Sequence, residues 1–258
     1  MQKAPDAEGS GLTQMVGPAE RLWSSGKQTT LSASVIDQIR TVLFAGRLAP
    51  GDRLGSEASL ALQFGVSRMT MRDALRSLQA SGVIEVKVGI KGGIFVAEGN
   101  SERLAETIAI QLKLIGISTE ELLDTQIAIE VMAAGLAASN ATGADIKALH
   151  EALGEAERLI DDAEEFTWAA INFHGCVVAA SHNRVLAAQF RALSHVLMPL
   201  YVRGSSPDVA RRAVAFQRAL IACIEAREPD AARNLVYGRL QFVKSRQLGD
   251  LAKAGAGD

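Results

Sequence analysis

The fifteen residues Phe64-Gly65-Val66-Ser67-Arg68-Met69-Thr70-Met71-Arg72-Asp73-Ala74-Leu75-Arg76-Ser77-Leu78 constrain this chain more than any other stretch. Read as a helix beginning after Ser67, they put Met71, Ala74, Leu75 and Leu78 at the i, i+3, i+4, i+7 spacing of one buried stripe. Ser67 is a favoured N-cap, because its hydroxyl accepts a backbone N–H that the first turn leaves free. Arg68, Met69, Thr70, Arg72 and Arg76 lie off the stripe or project from the first turn. Arginines and a hydroxyl in the opening turns suit a helix inserted into a DNA major groove, where arginine reaches phosphates or pairs with guanine through two hydrogen bonds. Basic residues alone describe a solvated helix face equally well, so the flanking sequence has to decide.

Upstream, Val35, Ile36, Ile39, Val42 and Leu43 form a helical stripe ending at Gly46, a natural C′ residue. Pro50-Gly51-Asp52 makes a turn. A short helix follows from Ser56, with Leu60, Ala61 and Phe64 inward and Gly65 closing it. Two short helices joined through a glycine turn form a helix-turn-helix. Downstream of Gly82, Val83 to Val88 read as a strand and Gly93 to Val96 as its returning partner. The loop between them holds Gly89, Gly92 and Gly93, with Lys87 and Lys91 at its margins. Glycines there let backbone approach a phosphate or the minor groove. An isolated glycine-rich hairpin means little; directly after a helix-turn-helix it reads as a wing.

Charge supports the same division. The chain of 258 residues has a net charge of only −2, yet residues 31–97 carry eight Lys and Arg against five Asp and Glu. A small basic domain therefore precedes an acidic one. Alanine and leucine abound and aromatics are few, which favours helices over sheets. Residues 1–30 lack periodicity and read as a mobile leader. From Ser101 the pattern is helical to the end, with Ser118-Thr119-Glu120-Glu121 a capping box and Thr142-Gly143-Ala144-Asp145 a weaker one. Pro207 and Pro229 fall at first helical positions, and Pro199 is expected to kink an apolar helix. The expected architecture is mainly α: a winged helix-turn-helix over 31–97, a linker at 98–100, an antiparallel bundle of about six helices over 101–251 enclosing a cavity, and a tail at 252–258. Cys176 and Cys223, in apolar helical surroundings and without close-spaced partners, fit reduced core residues of a cytoplasmic protein. No signal peptide or membrane span is apparent.

Gly46-Arg47-Leu48-Ala49-Pro50-Gly51-Asp52-Arg53-Leu54, Ser56-Glu57, Gly65-Val66-Ser67-Arg68, Thr70-Met71-Arg72-Asp73-Ala74-Leu75 and Gly92-Gly93-Ile94-Phe95-Val96 resemble the winged helix of GntR-family transcription regulators. The resemblance implies DNA contacts from Ser67, Arg68, Thr70 and Arg72 of the recognition helix, with Lys87 and Gly89 in the wing. Ala58 stands where the family often has an arginine, and Met69 where a polar residue is frequent. The helical half resembles the effector-binding and dimerisation (FCD) domain of the FadR subfamily through Leu122-Leu123-Asp124 to Glu130, Ala133-Ala134, Asn172-Phe173-His174, Asn183 and Pro229-Asp230-Ala231-Ala232-Arg233.

Many members of that subfamily hold a divalent metal on one Asp and three His. The pattern falls here on Ala170, His174, Gln217 and Arg239, and a single imidazole cannot hold the ion. No metal or other cofactor is expected. A guanidinium can instead grip a carboxylate directly through two parallel hydrogen bonds. Arg239, helped by His174, Gln217, Asn183 and Glu130, is expected to bind a small anionic metabolite. The bland alternative is Arg239 exposed or paired with an acid such as Glu130, and His174 a satisfied interior residue. Gln126 stands where relatives often carry an arginine.

The reading is a homodimeric, ligand-responsive regulator that represses a catabolic or transport operon and binds an inverted-repeat operator. Two alternatives stand beside it. One is a metal-dependent regulator in which His195 or Glu130 joins His174. The other is a helical-bundle enzyme, against which no nucleophile–base pair, phosphate loop or paired-carboxylate motif is found.

Overall fold

The computed structural model describes residues 30–89, 91–203 and 206–255. The expected leader up to residue 29 and the last three residues of the expected tail lie outside them. Contacts divide the chain into two units between Gly99 and Asn100.

The first unit begins with α1 (Leu31–Phe44), capped by the Thr30 hydroxyl. A short strand β1 (Arg53–Gly55) follows, then α2 (Glu57–Phe64) and α3 (Arg68–Ala80). Gly65 ends α2 at φ +65°, a left-handed conformation that costs glycine nothing. The next residue but one, Ser67, caps α3 by accepting from Thr70 N. Strands β2 (Ile84–Lys87) and β3 (Gly93–Val96) pair antiparallel from Ile84↔Val96 to Lys87↔Gly93, and β1 joins the far side of β3. The sequence reading missed β1, which is only three residues long. Met71, Ala74, Leu75 and Leu78 close over Val35, Ile39, Leu60, Ala61, Ile84 and Ile94 to form one core.

The second unit is built from seven helices among the described residues, where about six were expected: α4 (Ser101–Ile115), α5 (Thr119–Asn140), α6 (Gly143–Arg158), α7 (Ala163–Ala180), α8 (Arg184–Arg203), α9 (Pro207–Glu225) and α10 (Pro229–Gly255). Their starts are chemically marked. Ser118 with Glu121, and Thr142 with Asp145, form reciprocal capping boxes. Asp162 caps α7, and Ser206 caps α9 ahead of Pro207. Helix α8 continues through Pro199.

Helix α5 is the central element. It buries Leu122, Leu123, Ile129, Ala133, Ala134, Ala137 and Ala138, and α7, α8, α9 and α10 all pack on it. By length and composition alone α5 and α8 are apolar enough to cross a bilayer, each with a mean hydropathy of 1.3. For α5 the reason is burial inside the bundle: a helix covered on most sides has no need of a polar face. Cys176 and Cys223 are half-buried free thiols, and burial pushes both upward from the usual thiol value.

Candidate functional site: a basic helix face and a cavity in the bundle

Two sites emerge, one in each unit. On the first, α3 shows Arg68, Met69, Arg72 and Arg76 to solvent while its apolar stripe is sealed below. The Ser67 hydroxyl accepts from Thr70 N at 3.1 Å and lies 2.8 Å from the Thr70 hydroxyl, so the two side chains fix each other at the start of the helix. Arg72 is not a loose cation. Its Nε and Nη2 donate to Glu57 Oε2 and Oε1 of α2 at 3.1 and 2.8 Å. That hydrogen bond, opposed by burial and reinforced by the charges of Arg72, Arg68 and Arg76, lowers the Glu57 carboxyl from its ordinary value, and Arg72 is raised in turn.

The wing places its expected residues beside a tight glycine turn. Gly89 has φ +117°, and Gly92 N donates to Gly89 O at 2.8 Å. A Cβ on Gly92 would come within 2.4 Å of Lys87 O, so only glycine closes this turn. Lys87 is exposed, 2.5 Å from Glu85 Oε1 and 4.8 Å from the centre of the Phe95 ring. Arg53, unremarked in the sequence, donates to Gly92 O and ties the strand to the wing. Glu57 and Arg53 escape a sequence reading because each acts on a partner 15 and 39 positions away.

In the second unit α5, α7, α8, α9 and α10 surround a cavity of about 110 Å³. Of the expected effector residues, Glu130, His174 and Arg239 reach its wall together with Ala170. Asn183 does not. It is exposed, and its Oδ1 accepts from Val185 N and Leu186 N, which makes it the cap of α8. Gln217 is absent from the wall as well: it is completely buried, and neither its amide oxygen nor its nitrogen has a hydrogen-bond partner among the described residues.

The cavity wall carries two chemically different sets of polar groups. Glu130, 3 % exposed, accepts from Gln126 Nε2 at 2.6 Å and faces His174 Nδ1 at 2.6 Å. Tyr201 donates to Gln126 Oε1 at 2.5 Å, completing a chain of four polar side chains from three helices. Burial, then the Glu130 charge, raise the Tyr201 phenol far above its ordinary value, so it remains a neutral donor. The same wall also carries Arg239 and Arg246 of α10 and Arg212 of α9. Arg239 is half-buried, its guanidinium carbon 5.9 Å from the centre of the Phe216 ring. Burial pushes Arg239 below the ordinary guanidinium value; Arg212 and Arg246 push the same way, against a contrary effect of Tyr201. The acid that the sequence offered as its partner, Glu130, is engaged by His174 instead.

The donor set is a poor match for a divalent ion. The two ligating side chains on the wall are bonded to each other, and Arg239 adds positive charge where a ligand would be needed. Among the described residues no three His, Cys, Asp or Glu side chains gather. His195 points elsewhere, to Glu102 of α4 at 3.3 Å. Gln126, Tyr201, Arg212 and Arg246 add further polar groups to the wall. The spacing of Gln126 and Glu130, one helical turn apart, was the only sequence signal of that chain.

Comparison with known proteins bears on both sites. Residues 31–96 match the family described as bacterial regulatory proteins, gntR family, and residues 121–242 match the FCD domain. A putative L-lactate dehydrogenase operon regulatory protein of Escherichia coli (strain K12) is 30% identical over 222 residues, 83% of this chain and 84% of that protein. The HTH-type transcriptional regulator LutR of Bacillus subtilis (strain 168) is 32% identical over 153 residues, covering 59% of this chain and 69% of its own. A galactonate operon transcriptional repressor of Escherichia coli (strain K12) is 31% identical over 193 residues, 72% and 83% of the two chains. Among solved structures, Streptococcus agalactiae GntR superposes with a TM-score of 0.60 at 18% identity, over 83% of this chain and 99% of that one, a likeness of fold.

Proposed function

This chain belongs to the GntR family of bacterial transcription regulators and carries an FCD effector domain, and from that membership we propose that it represses an operon whose product or substrate is a small hydroxy acid that binds in the bundle cavity and releases the operator. It is a DNA-binding regulator and not an enzyme.

The observation that carries the ligand class is Arg239. A guanidinium half-buried beside two further arginines, with no carboxylate among the described residues at ion-pair distance, lacks the counter-charge that such burial ordinarily requires. A ligand carboxylate supplies it through two parallel hydrogen bonds. The chain of Gln126, Glu130, His174 and Tyr201 on the same wall offers both acceptors and donors, which suits hydroxyl groups on the adjacent carbons. Lactate and galactonate, the acids in the names of two relatives, a putative L-lactate dehydrogenase operon regulatory protein and a galactonate operon transcriptional repressor, belong to the same chemical class. No metal takes part in this reading, and what supports that is the donor set at Ala170, His174, Gln217 and Arg239. The regulator acts as a cytoplasmic homodimer, whose two recognition helices meet half-sites related by a dyad.

A thermal-shift panel of lactate, galactonate and other hydroxy acids, with uncharged polyols as controls, tests this. Wild-type protein is stabilised by at least one acid and by none of the polyols. Arg239→Ala loses about 2 kcal/mol of ligand binding, some thirtyfold in affinity, and keeps its affinity for its own promoter fragment. Ligand affinity unchanged in Arg239→Ala would overturn the assignment.

A further inference from the structure

The pairing of Arg72 with Glu57 is too well formed to be idle and too exposed to matter much for stability. The side chains keep 49% and 32% of their accessible surface, and exposed ion pairs add little to a fold. Helices α2 and α3 are already joined beneath the pair by Leu60, Ala61, Met71 and Leu75. The geometry is the informative part. Glu57 takes the Nε–H and one Nη2–H, so one edge of the guanidinium is consumed. The other edge keeps the Nη1 hydrogens and the second Nη2 hydrogen, and its plane is held by a carboxylate anchored at the first residue of α2.

We infer that Glu57 is a positioning residue for base readout: it holds Arg72 so that the remaining fork meets guanine O6 and N7 instead of swinging to the phosphates. This rests on reading Arg72 as a base contact. An unrestrained arginine at this position reaches phosphate oxygens as readily as a base edge, and phosphate contacts carry no sequence information. A carboxylate beside the guanidinium also repels phosphates, which penalises the unproductive pose. Arg68, one turn earlier and with no carboxylate hydrogen-bonded to it among the described residues, is left for the backbone role.

Selection of bound sequences from a random duplex library tests the inference with full-length wild type, Arg72→Ala, Glu57→Gln and Asp37→Asn. Asp37 is exposed on α1, so its variant removes one charge without touching the pair. Wild type selects a half-site containing a guanine whose preference vanishes in Arg72→Ala. In Glu57→Gln the preference at that same base falls at least tenfold, the other positions keep theirs, and affinity for an unrelated duplex holds or rises. Asp37→Asn selects the wild-type site. Undiminished guanine preference in Glu57→Gln overturns the inference, as does an equal loss at every position, which would mark a structural role. If Arg72→Ala alters no base preference, the reading of Arg72 itself has failed, and the wild-type selection shows this independently.

Discussion

Gln217 is enclosed on every side, and both halves of its amide lack partners among the described residues. It follows Phe216 on α9, whose ring stacks on His174 with centroids 6.0 Å apart and receives Arg239. Burying an amide unpaired costs on the order of 1–3 kcal/mol, whereas an apolar group of similar shape costs nothing there. A residue kept at that cost is explained if the liganded state supplies its partner. Gln217→Met is therefore expected to raise the ligand-free melting temperature by a few degrees, at about 2–4 °C per kcal/mol for a chain of this size. The same variant should shrink the stabilisation given by the acid that wild type binds. A lower melting temperature with an undiminished ligand response would show that the amide serves the fold alone. At this scale the sequence was legible where a residue's role is local. Ser67 as a cap and Gly89 at a positive-φ turn follow from residue type and neighbours. Glu57 on Arg72 and His174 on Glu130 do not, because each pair joins two helices whose relative placement no local pattern encodes. Asn183 shows the converse: a resemblance placed it at the ligand, and its own capping chemistry, local and readable, holds it outside the cavity.

Helix boundaries followed from the same local chemistry. The two capping boxes put the starts of α5 and α6 where Ser118 and Thr142 predict. Both reciprocal acids are titratable. The Ser118 hydroxyl and backbone lower Glu121 from its ordinary value, and those of Thr142, with a lesser contribution from His182, lower Asp145. A carboxyl depressed in the folded state contributes stability that is complete above its unfolded value, near 4, and is lost as pH falls through the folded value. The stability of wild type should thus fall below about pH 4 in part through these two helix starts. Thr142→Ala is expected to cost about 1 kcal/mol at neutral pH and to flatten that acid limb, read by urea unfolding across pH. An acid limb identical to wild type would assign the loss to other carboxylates. Periodicity was less informative than caps for the helix that matters most. Helix α5 is buried on several faces, so its sequence shows no stripe to read, and only its length and caps reveal it. Strand β1 was invisible for the opposite reason, since three residues carry no alternation.

Ligand and operator bind to different units of one chain, and thermodynamics restricts how they can influence each other. The cavity wall is drawn from α5, α7, α8, α9 and α10, and the residues proposed to meet DNA from α3 and the wing. If the hydroxy acid favours the arrangement that releases DNA, it must bind that arrangement more tightly, and a tenfold loss of operator affinity requires about 1.4 kcal/mol of difference. Linkage then fixes the reverse effect: saturating operator must weaken acid binding by the same factor, whatever the pathway between the units. Anisotropy with a labelled promoter fragment, with and without saturating acid, gives the first factor. Calorimetric titration of the acid into free protein and into the protein–DNA complex gives the second. Equal factors above one are expected, and Arg239→Ala should carry both back toward one without altering operator affinity in the absence of ligand. An acid that weakens operator binding while its affinity for the cavity ignores DNA cannot be acting through this equilibrium; a second site for the acid, on the basic face of α3, would then explain the loss, and Arg239→Ala would leave it intact.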